Sequence, residues 1–145
     1  CAFWGINSRL DAIQAAITNI KLPHLDAINS EFRSIANRYS AALSNVVRTP
    51  LEGPNEYQVY HRYMIQTDRR NELQANLAKH GIDSKVNYPI PIHLQDAAKD
   101  LNHKEGDFPV AERLANEILS LPIYAEMTDE DVDYVIHHVL QFFNQ

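Results

Sequence analysis

The chain has 145 residues, enough for one domain with its own core, and its 45% apolar and 22% charged content fits a globular rather than a disordered protein. A formal net charge of −6, with Arg69-Arg70 as the densest cationic spot, argues against a nucleic-acid surface. No apolar run approaches the roughly 20 residues of a membrane span, and the lone cysteine, Cys1, excludes an internal disulfide, so a soluble cytoplasmic protein is expected.

The abrupt apolar start, Cys1-Ala2-Phe3-Trp4, reads as a cut in a longer chain, with a processed terminus as the alternative. Gly5 to Ile20 then opens a helix. Asn7 or Ser8 offers a side-chain oxygen to cap it, and Leu10, Ile13, Ile17 and Ile20 fall on one stripe. Leu25, Ile28, Phe32, Ile35, Tyr39 and Leu43 continue at helical spacing, and Pro23 between the two runs predicts a kink or short break near Leu22. So long an apolar face needs a partner. It packs either on another domain or as a helical hairpin within this chain.

Thr49 to Asn55 is a loop by its proline and glycine content. From Tyr57 to Thr67 the sequence alternates with period two and predicts a strand. Asp68 is placed to cap a helix that turns Leu73 and Leu77 inward, and Gly81 closes it. Ile82 to Tyr88 reads as a second strand, ended by Pro89 and Pro91, and His93 to Asp100 as a short helix. Asp107 is expected to cap a helix carrying Val110, Leu114 and Ile118. Ser120 to Tyr124 is extended. Thr128 caps a last helix with Asp129, Glu130 and Asp131 in its first turn and a buried stripe of Val132, Val135, Ile136, Val139, Leu140 and Phe143. The expected class is α+β: a long N-terminal helical pair, then a small sheet with helices on one face.

Independent catalytic motifs are missing. His137 and His138 are adjacent on a helix and point about 100° apart, so they do not face one ion, and no metal-ligand spacing is present. There is no Gly-x-Ser-x-Gly elbow and no glycine-rich phosphate loop.

The order Gly5-x-Asn7-x-Arg9-Leu10-Asp11-x-x-Gln14-Ala15-Ala16 closely resembles the DegT/DnrJ/StrS nucleotide-sugar aminotransferases, enzymes of fold type I that use pyridoxal phosphate (PLP). The resemblance continues in Val86-Asn87-Tyr88-Pro89-Ile90-Pro91-Ile92-His93-Leu94-Gln95, in Glu105 to Glu112 and in Leu119 to Tyr124. It implies the C-terminal part of such an enzyme: residues 1–46 as a helical arm reaching the large domain and 47–145 as the small domain. It also implies a homodimer, a nucleotide-sugar substrate and an amino-acid donor, with glutamate the expected one. Asn7 would reach the PLP phosphate held by the neighbouring subunit, and Arg9 the substrate. Both are donors aimed at anions. The bland alternatives are a helix cap for Asn7 and a surface ion pair for Arg9.

Asn87, Tyr88 and His93 would line the sugar side. Asn87 stands where the family commonly has histidine, so it can hydrogen-bond but cannot titrate. The alternative for these three is a proline-braced turn packed on the core. Lys21, Lys79, Lys85, Lys99 and Lys104 do not sit in the family's lysine motif. The chain alone is therefore expected to lack the Schiff-base lysine and to be inactive without the rest. A non-enzymatic regulatory module and a dehydratase-like relative, with histidine for that lysine, are the rival readings. The Tyr-Pro-Ile-Pro-Ile-His-Leu-Gln wording leans toward sugars aminated at C3.

Overall fold

The structure is a computed structural model that describes residues 11–144. Helix α1 spans Ala12–Lys21 and α2 spans Leu25–Leu43. A 3-10 turn, Leu22–His24, carries Pro23 between them, as the missing proline N–H demands. The helix starts later than expected. Asp11, with extended backbone, is its N-cap, and Gln14 Oε1 accepts the Asp11 N–H at 3.2 Å. Asn7 and Ser8, the expected caps, lie outside the described residues.

Burial changes steadily along this pair. No residue of α1 is buried, and Ile13, Ile17, Ile20, Leu22 and Leu25 are all exposed. Further on, Ile35, Ala36, Tyr39 and Leu43 sink into the core. One continuous apolar stripe is thus covered by this chain only at its far end.

The sheet is small. Strand β1, Tyr63–Gln66, pairs antiparallel with β2, Ile118–Leu121, with Tyr63 opposite Leu121 and Ile65 opposite Leu119. Those four side chains are buried on one face. Helices α2, α3 (Arg70–Lys79) and α5 (Asp129–Phe143) join them in a single core with Leu73, Leu77, Val132 and Val139. Tyr39 reaches through this core, and its hydroxyl donates to the Pro122 carbonyl at 2.9 Å. Arg38 ties α2 to α5 through Asp129 and Asp133.

Several expected boundaries move. The Tyr57–Thr67 strand shrinks to β1, because Tyr60 has φ +48° and Tyr57 stacks on Arg33 at 4.1 Å. Those aromatics serve α2 rather than a ladder. Arg69, not Asp68, is the N-cap of α3, and Thr67 Oγ1 accepts the Arg69 N–H. Ile82–Tyr88 is not a strand but makes one antiparallel bridge, Lys85 with Ser120. His93–Asp100 forms two 3-10 turns, Ile92–Leu94 and Asp96–Leu101. Helix α4, Pro109–Glu117, is capped at Phe108, while Asp107 instead accepts the Lys104 N–H. Val110 is exposed and Ile118 belongs to β2. In α5 the stripe turns Phe142 and His138 inward, and Phe143 is half-buried. The Thr128 cap forms as expected, its hydroxyl accepting the Asp131 N–H.

Candidate functional site

The site is built from the way α3 ends. The Gly81 N–H reaches the Ala78 carbonyl and the Ile82 N–H the Leu77 carbonyl, closing a Schellman motif with Gly81 at φ +73°. This turn sends residues 82–88 back along β2. There the Lys85 N–H and carbonyl both bond Ser120, at 3.1 and 2.8 Å. Side chains of directly opposed residues share a face of the sheet, and so does the residue two positions on. Lys85, Asn87 and Ser120 therefore project from the same face, opposite the core. The Ser120 hydroxyl donates to Asn87 Oδ1 at 3.2 Å.

Asn87 lines an open cleft of 610 Å³ together with His61, Arg62, Lys85, Ser120 and Tyr124. Lys85 is paired with Asp83 at 2.9 Å, both side chains being well exposed. The cleft's walls carry cations, the carboxylates of Asp83 and Asp131, an amide and an aromatic ring, a mixed polar set suited to a hydroxyl-bearing ligand. His61, Arg62, Lys85 and Ser120 escape the sequence analysis. The readable signal was Ser120, a lone hydroxyl within the apolar run Ile118-Leu119-Ser120-Leu121.

Tyr88, joined to Asn87 by a cis peptide bond, is 68% exposed and stands beside a hollow lined by Ile90, Leu114 and Ile118. Asn87 and Tyr88 thus open onto different depressions. His93 is anchored within the chain. Its Nε2 lies 2.9 Å from Glu112 Oε1, and its ring packs on Phe108 at 4.8 Å. A carboxylate only accepts, so that nitrogen carries the proton. Glu112 also accepts the Gly106 and Phe108 N–H groups. The Gly106 N–H contributes most to holding its carboxyl below the usual range, with His93 adding to it. Glu112 thereby fastens the proline-braced turn to the start of α4.

Asn7 and Arg9 lie outside the described residues. Lys21, Lys79, Lys85, Lys99 and Lys104 are all exposed, so the described residues alone offer no buried amine around which a PLP ring would fit. Among them no group of three or more His, Cys, Asp or Glu can hold a metal ion, and no helix is long and apolar enough to cross a membrane.

Comparison with known proteins gives consistent matches. A "Pleiotropic regulatory protein" of Geobacillus stearothermophilus is 43% identical over 96% of this chain and 38% of its own length. A dTDP-3-amino-3,4,6-trideoxy-alpha-D-glucose transaminase of Streptomyces venezuelae is 40% identical over 82% of this chain and 32% of its own. The crystal structure of S. venezuelae DesV superposes with a TM-score of 0.91 at 36% identity, covering 97% of this chain and 38% of that one. The chain thus spans little more than a third of the proteins it matches. The two-stranded sheet with helices packed on one face is the corresponding fragment of a fold type I aminotransferase. Residues 2–140 match the DegT/DnrJ/EryC1/StrS aminotransferase family from end to end, and the chain belongs to that family.

Proposed function

We propose that this chain is the C-terminal part of a PLP-dependent aminotransferase that moves an amino group from an amino acid to a keto carbon, C3 by preference, of a nucleotide-linked sugar. The observation that carries the proposal is the 40% identity, across 82% of this chain, to a protein named as a dTDP-3-amino-sugar transaminase. PLP, when bound to the whole enzyme, supplies the electron sink for the transfer. The lysine that holds it comes from the remainder of the protein. This chain binds and orients. Asn7 meets the cofactor phosphate across a homodimer interface and Arg9 contacts the substrate. Asn87 and Tyr88 present an amide and a phenol to the sugar nucleotide. His93, with Nε2 engaged by Glu112, braces the turn that carries them.

The exposed stripe of α1 and early α2 supports the arm assignment for residues 1–46, since apolar stripes of this kind mark interaction surfaces. The test is made on the full-length protein with PLP, glutamate and a dTDP-linked 3-keto sugar. Glutamate-dependent formation of the amino sugar is the expected result. Full-length protein that binds PLP in a form borohydride cannot trap on a lysine, and makes no amino sugar, overturns the proposal. The name of the Geobacillus relative favours a second reading, a regulatory protein without transaminase activity, and the same negative result supports it.

A further inference from the structure

We infer that Ser120 is a positioning residue that fixes the Asn87 amide with its N–H₂ toward the cleft, so that this position selects an oxygen acceptor on the ligand. The inference rests on the reading above that Asn87 meets the sugar nucleotide. An asparagine amide is ambivalent, because it offers an acceptor or two donors by a simple flip. A ligand must otherwise choose between them, and the choice costs selectivity. Here the structure turns the amide carbonyl toward Ser120. The backbone N–H and carbonyl of Ser120 are both committed to Lys85, which pins the strand pair. Its hydroxyl, on a residue only 8% exposed, donates to Asn87 Oδ1 at 3.2 Å. That bond engages the amide's carbonyl oxygen. Asn87 Nδ2 has no partner among the described residues, and the residue lines the cleft.

Arg62 and Lys85 line the same cleft as cations, and Asp131 and Asp83, the latter paired with Lys85, line it as carboxylates. Asn87 Nδ2 is a donor and needs an acceptor from the ligand. A phosphate oxygen or a sugar ring or hydroxyl oxygen, acting as acceptor, satisfies it. A ligand amine or a cation does not. Asparagine in place of the family's commoner histidine keeps the donor at all pH values, because it has no proton to lose near neutrality.

The experiment uses the full-length enzyme and steady-state kinetics with a dTDP-linked keto-sugar. Ser120→Ala keeps the strand backbone and frees the amide. The KM for the sugar nucleotide should rise about three- to tenfold while kcat changes less than about twofold, the loss of one neutral hydrogen bond's worth of binding. Asn87→Asp replaces the donor with a second acceptor, and KM should rise about tenfold or more. Thermal unfolding of both variants should match the wild type, which separates positioning from a structural role. Inhibition by dTDP alone locates the acceptor. A Ki that rises in parallel with KM in Ser120→Ala points to a phosphate oxygen, and an unchanged Ki to a sugar oxygen. An unchanged KM in Ser120→Ala, or an Asn87→Asp enzyme with native KM, overturns the inference while leaving the transaminase reading intact. A wild-type enzyme that binds no sugar nucleotide overturns both.

Discussion

Two identical changes on the helical arm should have opposite consequences. Ile17 on α1 is 50% exposed, whereas Ile35 on α2 is 6% exposed within the core. Both sit inside helices, so replacement by alanine gains the same few tenths of a kcal/mol in helix propensity at each. Their difference therefore reports tertiary burial alone. Ile35→Ala removes buried carbons between α2 and the rest of the core and leaves a cavity, at a cost of about 2–5 kcal/mol. Ile17→Ala removes carbons that touch little in this chain, and its effect should stay within about 0.5 kcal/mol. For a chain of this size about 3 kcal/mol corresponds to a melting shift on the order of 10 °C. Urea unfolding of the chain, followed by far-UV circular dichroism at low protein concentration, gives the two values, provided the slope m is unchanged. In the full-length protein the arm's stripe should be covered, and Ile17→Ala should then cost more than about 1.5 kcal/mol. Equal losses for both variants in the isolated chain would mean that α1 packs within it. A harmless Ile17→Ala in the full-length protein would mean that nothing covers the stripe.

Gly81→Ala should cost about 1–2 kcal/mol of stability, all of it from the left-handed backbone, because a Cβ there meets nothing within 4 Å; Gly81→Asn should cost less, and equal losses in denaturant midpoint would refute the backbone explanation. His138, stacked on His80 at 4.0 Å, has its pKa held below the ordinary 6.5, first by burial and then by repulsion from His80 and His137. The unfolded chain takes up that proton more readily, so stability should fall as pH drops below about 6.5 and level off below the folded value. His138→Phe should flatten this slope between pH 7 and 5, and an unchanged slope would exclude His138 as its source. In the proposed full-length homodimer, Asn7→Ala should weaken PLP binding about ten- to a hundredfold. Mixing Asn7→Ala subunits with subunits lacking the Schiff-base lysine should restore one native site of two in each mixed dimer. No recovery in the mixture would place Asn7 in its own subunit's site or at a helix cap.

The helices were legible because their stripes are long and their stops are chemically plain. Pro23 broke the arm where its missing N–H requires, Gly81 ended α3, and Thr128 began α5. Caps held by neighbours were harder to place. Asp68 and Asp107 have the right side chains one residue early, but Thr67 and Glu112 satisfy the open N–H groups instead. Alternation misled at Tyr57–Arg62, where Tyr57 and Tyr60, three residues apart, both pack on Arg33 and Tyr60 turns the backbone at φ +48°. The His80–His138 stack joins residues far apart in the chain, and no spacing rule reports such a pair. The site followed the same division. Asn87 and Tyr88 were singled out through their resemblance to the family, but the hydroxyl behind Asn87 sits on a strand whose pairing the sequence does not display.

One physical consequence joins the arm to the cleft. The core couples α2 to β1, β2 and α5 through Tyr39, whose hydroxyl bonds Pro122, immediately after β2. Burial raises the pKa of that phenol well above its ordinary value, so it stays a neutral donor across the working range. The segment leaving β2 lines the cleft, and α2, which holds it through Tyr39, is joined by the Pro23 turn to α1, where the exposed stripe lies. The exposed stripe of Ile13, Ile17 and Ile20 and the Tyr39 bond to the Pro122 wall are thus carried by one helical pair, interrupted at the Pro23 turn.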